Sequence, residues 1–124
     1  LAGALDGEVA RSLQADLVKR LDDADDGVRL RACALIAAFS RCAPPAELKG
    51  APCQWSVDAL LVHADDPDPT IAAAAAAAAE QWVAVDPSYV LRAARDNRAK
   101  HRAPDMCDRL AALARAAGGS SDSA

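Results

Sequence analysis

Along this chain the apolar residues return every three or four positions, the spacing of one face of an α-helix, and no run alternates long enough to read as a strand. Leu13, Leu17, Val18 and Leu21 form a first stripe, and after an acidic break Val28, Ala32, Leu35, Ile36 and Phe39 form a second. Val57, Leu60, Leu61 and Ala64 begin the pattern again, followed by Ile71, Ala75, Ala78, Ala79 and Trp82. The two blocks register at a constant offset of 43, Leu17 through Phe39 onto Leu60 through Trp82. Asp22, Asp23 and Asp25 then fall on Asp65, Asp66 and Asp68, Val28 on Ile71 and Phe39 on Trp82. Each unit reads as helix, tight acidic turn, helix. Such a pair cannot bury its apolar face alone, so it stacks on its neighbours.

A third unit follows at a shorter period. Asp86-Pro87 is a cap and first-turn proline opening a helix with Tyr89, Val90 and Ala94, and after Ala103-Pro104 a last helix carries Met106, Leu110, Leu113, Ala114 and Ala117. From Ile71 to Met106 the offset is 35, an abbreviated unit of the kind that closes a stack. The expected fold class is therefore all-α, an α-solenoid of about three antiparallel helix pairs. Its expected divisions are 1–42 for pair one, 43–53 for an inter-repeat loop, 54–85 for pair two, 86–117 for the capping pair and 118–124 for a disordered tail. The loop assignment rests on Pro44, Pro45, Gly50 and Pro52, and the tail on a glycine- and serine-rich stretch without an apolar anchor.

Composition sharpens this picture. The chain is 52% hydrophobic but only 3% aromatic, so much of its apolar content is alanine, the best helix former, and helices must approach closely. A formal net charge of −4 argues against whole-domain attraction to nucleic acid or anionic lipid. The longest apolar run, Ile71 through Ala79, is far shorter than the ~20 residues a membrane span needs. Cys33, Cys42, Cys53 and Cys107 show no zinc-ligand spacing and read as reduced thiols, so the expected location is cytoplasmic. The chain opens at Leu1 and its single methionine is Met106, which suggests a piece of a longer protein.

The sequence Asp25-Asp26-Gly27-Val28-Arg29-Leu30-Arg31-Ala32 resembles the HEAT repeat, within the HEAT/armadillo-like class. The resemblance implies that Arg29 bonds between neighbouring repeats. Its counterpart Ala72 lacks the guanidinium, so that link is incomplete in unit two. Three segments in order, LDDADDGVRLRA, LLVHADDPD and KHRAPDMCDRL, resemble the C-terminal end of the HEAT-repeat dynein axonemal assembly factor family, over most of residues 13 to 113. The chain departs from that family at Ala72 to Ala79, where the family helix is more varied. The resemblance implies a cytoplasmic factor for preassembly of dynein arms in motile cilia, with dynein intermediate chains and chaperone machinery as partners.

Several candidate sites follow from the residues themselves. Arg92, Arg95, Arg98 and Arg102 recur along one side of a helix with Lys100 and His101 nearby, a surface suited to an acidic partner segment because guanidinium forks bind carboxylates at two points. The alternative is a solvated face paired with the chain's own acidic turns. Asp22, Asp25, Asp26, Asp65 and Asp68 read as turn and capping residues. A calcium loop needs a Glu at position twelve, where counts from Asp22 and Asp23 reach Cys33 and Ala34. A di-iron hydroxylase of the deoxyhypusine type needs His-Glu pairs, and the chain has His63-Ala64 and His101-Arg102. Cys107 and His101 lie near one turn but in no recognisable catalytic setting. The Ala72 to Ala79 stretch reads as a tightly packed inner helix or the floor of a partner groove. The expected function is non-catalytic protein binding without a cofactor, with a generic adaptor in transport or phosphatase assembly as the alternative.

Overall fold

A computed structural model of the chain describes residues 7–120. Among the described residues it is all-helical: α1 (Gly7–Arg20), α2 (Asp26–Phe39), α3 (Pro45–Leu48), α4 (Ala51–Ala64), α5 (Pro69–Gln81), α6 (Pro87–Arg98) and α7 (Pro104–Ala116). Helices α1, α4 and α6 form one row, each against the next, and α2, α5 and α7 form the second. The paired rows make a two-layer, solenoid-like stack in which units meet chiefly their neighbours.

The acidic turns start the second helix of each of the first two pairs by the same chemistry. Asp25 Oδ1 accepts from Gly27 N at 2.7 Å and Val28 N at 3.2 Å, and Asp68 Oδ1 accepts from Thr70 N at 2.8 Å. These bonds satisfy amides that the first helical turn leaves open. One position upstream of Ala24 and of Pro67, Asp23 Oδ1 accepts from Asp25 N and Asp66 Oδ1 from Asp68 N, both at 2.8 Å. The sequence repeat is thus a repeat of hydrogen bonds. Asp86 opens α6 in related fashion, accepting from Tyr89 N at 3.1 Å.

The core runs through the stack without a break, with Leu17, Leu21, Ile36, Val57, Leu60, Leu61, Ala75, Ala79, Val90, Leu91 and Leu110 all buried. Trp82, completely buried, pins unit two to unit one. Its indole Nε1 donates to the Ile36 carbonyl at 3.1 Å, in the last turn of α2 where carbonyls lack helical partners, and its ring lies 6.1 Å from that of Phe39. Alanine lets α5 fit between its neighbours: Ala75, Ala78 and Ala79 are buried, whereas Ala73 and Ala77 are exposed.

Two segments differ from the sequence reading. Within 43–53 the chain forms the short helix α3 and enters α4 at Ala51, because Pro45 and Pro52 occupy first-turn positions where no amide donor is required. Gly50, at φ 95°, supplies the left-handed step between them. Of the disordered tail expected at 118–124, residues 121–124 lie outside the described residues. Gly118 and Gly119 instead close α7: Gly119 N donates to Ala114 O at 2.8 Å and Gly118 N to Arg115 O at 3.0 Å, the paired bonds of a Schellman cap, with Gly118 at φ 98°.

Candidate functional site

Three surfaces are built on this frame. The first is the edge carrying the acidic turns. Arg29 on α2 reaches across to unit two, where its Nη2 donates to Asp66 Oδ2 at 2.6 Å, while its Nε donates to the Leu21 carbonyl at 3.0 Å. Asp26 lies 3.6 Å from Nη1 of the same guanidinium. The Arg29 hydrogen bond, helped by the Asp68 amide, holds the Asp66 carboxyl below its usual range. His63 completes the junction: Nδ1 lies 3.3 Å from Arg29 Nη2, which can only donate, so Nε2 carries the hydrogen toward Asp22 Oδ1 at 3.1 Å. Asp66 and His63 are members that sequence reasoning did not single out. Asp66 was visible as the partner of Asp23 in the repeat, and His63 only as part of the LLVHADDPD segment and of the His63-Ala64 pair, not as a junction residue.

At the next junction Ala72 stands where Arg29 does in unit one, and a different bond replaces the link. Asp65 Oδ1 accepts from the Arg102 amide at 2.7 Å and lies 3.6 Å from the Arg102 Nε. His101 takes the turn-aspartate position, accepting from Ala103 N at 3.0 Å through Nδ1. This corrects its placement on a basic surface: its side chain is 2% exposed and serves the turn. Its Nε2 is buried without a partner among the described residues.

The second surface is the basic ridge of α6 and the turn after it; α6 ends at Arg98, so Lys100 and Arg102 stand on that turn and not on the helix the sequence spacing predicts. Arg92, Arg95, Arg98, Lys100 and Arg102 are all exposed. Arg98 is held by Asp108, with Nε donating to Oδ1 at 2.6 Å and Nη2 to Oδ2 at 3.2 Å, and Arg92 lies over the Tyr89 ring at 5.7 Å. The Tyr89 hydroxyl donates to Asp58 at 2.6 Å. Part of the ridge's charge is therefore spent within the chain. Arg95 and Arg98 share a small cleft with Arg115 over Ala94, Cys107 and Ala111.

The third surface is an apolar groove of about 590 Å³ between α1, the end of α2, α3 and the start of α4. Phe39, Leu48 and Ala10 line it, Trp55 stands at its side 44% exposed, and Gln14 lies beneath. The Gln14 amide nitrogen donates to Pro52 O at 2.6 Å and Ser56 Oγ at 2.8 Å. Sequence reading passed over this groove.

Burial raises the Cys107 thiol above its ordinary pKa, opposite to what a thiolate nucleophile requires. Among the described residues no three His, Cys, Asp or Glu side chains converge to hold a metal ion. No helix of the described residues is long and apolar enough to cross a membrane.

The architecture of the described residues is that of an all-α, solenoid-like stack. The chain is similar in sequence to dynein axonemal assembly factor 5: 34% identical to that of Xenopus laevis over 99 residues, and 29% identical to that of Homo sapiens over 111 residues. These matches take in 77% and 87% of this chain but 12% and 13% of the relatives, so the chain spans about an eighth of their length. The likeness to a dynein assembly factor thus extends over most of the chain. No protein-family model matches, and no solved structure matches.

Proposed function

We propose that this chain is part of a non-catalytic, HEAT-type protein-binding scaffold that acts in the cytoplasm in the assembly of axonemal dynein arms. The similarity along most of the chain to dynein axonemal assembly factor 5 carries this reading. The stacked helix pairs support it, because they leave long outer surfaces open to another polypeptide. Its partners in this reading are dynein subunits, intermediate chains among them, together with chaperone machinery. The exposed basic ridge of Arg92, Arg95, Arg98, Lys100 and Arg102 is the proposed docking face for an acidic segment. Asp22, Asp25, Asp26, Arg29, Asp65 and Asp68 hold the turns and junctions that present it.

Affinity capture with the tagged 124-residue chain from extracts of ciliated cells tests the reading. Axonemal dynein chains are expected among the enriched proteins, and Arg95→Glu is expected to reduce their recovery while leaving the circular dichroism unchanged. Enrichment of importins or phosphatase subunits in their place would overturn it.

A further inference from the structure

The arginines of the third unit are unevenly partnered. Arg92 lies over the Tyr89 ring, Arg102 Nε stands 3.6 Å from Asp65 Oδ1, and Arg109 Nε donates to Glu80 Oε2 at 2.9 Å, so each of these turns back onto the stack. Arg95 and Arg115 have no ion pair among the described residues. They belong to different helices, α6 and α7, yet line one cleft of about 270 Å³ whose floor is Ala94, Cys107 and Ala111, all buried. Arg98 lines the same cleft, its fork held by both oxygens of Asp108. Asp108 is the one carboxylate in the lining, and Asp105 acts on Arg98 from farther off. Like charges gathered over an apolar floor repel one another, and the excess is balanced once an anion enters.

We infer that this cleft is a docking site for one phosphorylated serine or threonine side chain of a partner protein. A cleft of this size admits a single side chain, and the guanidiniums of Arg95 and Arg115 remain to be neutralised. A phosphomonoester brings nearly two negative charges and three acceptor oxygens in one group, whereas an aspartate or glutamate brings one charge. Arg95 approaches from the α6 side and Arg115 from the α7 side, and Nη1 of Arg98, which makes no bond to Asp108, is a third donor. Guanidinium clusters read phosphorylated segments because their planar forks match the phosphate oxygens. A net charge of −4 and a cleft for one group disfavour nucleic acid, which needs a run of phosphate contacts. The inference deepens the docking face proposed above and rests on it; it names the chemistry that face recognises and adds Arg115, which the ridge lacks.

The isotope-labelled 124-residue chain is titrated by NMR at low salt and neutral pH with capped Ala-phosphoserine-Ala, Ala-Glu-Ala and Ala-Ser-Ala peptides up to about 10 mM, the range suited to a single-residue anchor. The phosphopeptide is expected to shift the Ala94, Cys107 and Ala111 amides saturably, the glutamate peptide to bind at least about threefold more weakly, and the serine peptide not to bind. Arg95→Gln and Arg115→Gln are each expected to weaken phosphopeptide binding about fivefold with the circular dichroism unchanged. Lys100→Gln, which removes an exposed cation of the same ridge outside the cleft, is expected to leave binding as it was. Absence of saturable shifts, equal binding of the phosphoserine and glutamate peptides, or an equal loss in all three variants overturns the inference. Inorganic phosphate binding more tightly than the phosphopeptide assigns the cleft to a free anion, and oligothymidylate doing so assigns it to nucleic acid; either result overturns the partner. No dynein enters the titration, so loss of dynein capture with phosphopeptide binding intact counts against the assembly reading alone, and the converse against this inference alone.

Discussion

Replacing Trp82 by alanine removes the side chain that joins units one and two. Trp82 is fully buried, meets Phe39 at 6.1 Å between ring centroids, and supplies the donor for the Ile36 carbonyl. Truncating a buried aromatic residue costs about 3–5 kcal/mol through lost burial and the cavity left behind. Depriving the Ile36 carbonyl of its donor adds about 1–3 kcal/mol where water cannot reach it. Domains of this kind have about 5–15 kcal/mol in total, so Trp82→Ala is expected to leave the chain near its unfolding threshold at room temperature. Trp82→Phe, which installs the unit-one residue, retains most of the apolar contact and loses the donor, for a cost of about 1–3 kcal/mol. Urea unfolding followed by far-ultraviolet circular dichroism measures both, and the fluorescence of Trp55 reports on the same transition. A loss below about 1 kcal/mol for Trp82→Ala would refute the claim that the two units share one core.

Other outcomes follow from the same geometry. Ala75→Leu, at a completely buried position, is expected to lower stability by about 1–3 kcal/mol through overpacking, whereas Ala77→Leu on the exposed side of α5 changes it little; comparing the thermal midpoints checks this. Asp66 has its folded pKa lowered by Arg29, so its contribution is complete above the ordinary carboxylate range and is lost as pH falls through the folded value; the stability gap between the wild type and Asp66→Asn is therefore expected to be constant near neutrality and to shrink in acid, measured by urea titrations across pH. Burial raises all four thiols, Cys53 up to about 12, but Cys42 is partly exposed and the other three are buried, so a disulfide-exchange reagent at neutral pH is expected to modify Cys42 first and the others only on unfolding.

The repeat was legible because turn chemistry and helical periodicity are local. Asp25 and Asp68 cap through residues two or three positions away, and the stripes ending at Phe39 and Trp82 need only a helix and a neighbour to bury them. What depends on packing between units was less visible. Arg29 could be assigned to a junction, but whether Asp65 or Asp66 receives it depends on the direction each carboxylate takes as the turn closes, and Asp65 turns toward Arg102. His101 read as part of a charged run because its neighbours Lys100 and Arg102 are charged, yet the shorter third turn draws its ring inward to the place of an aspartate. Prolines 45 and 52 suggested continuous loop, though proline opens helices as readily as it ends them. The groove beside Trp55 depends on how far an inserted segment separates two helices, a distance no local pattern records.

The most direct test of the stack is the environment of the Trp82 indole in solution. Nuclear Overhauser contacts from its Nε1 proton to Ile36 and Phe39, with slow exchange of that proton against solvent, are the predicted result. A rapidly exchanging indole proton with no contact to α2 would contradict the shared core on which the whole account stands.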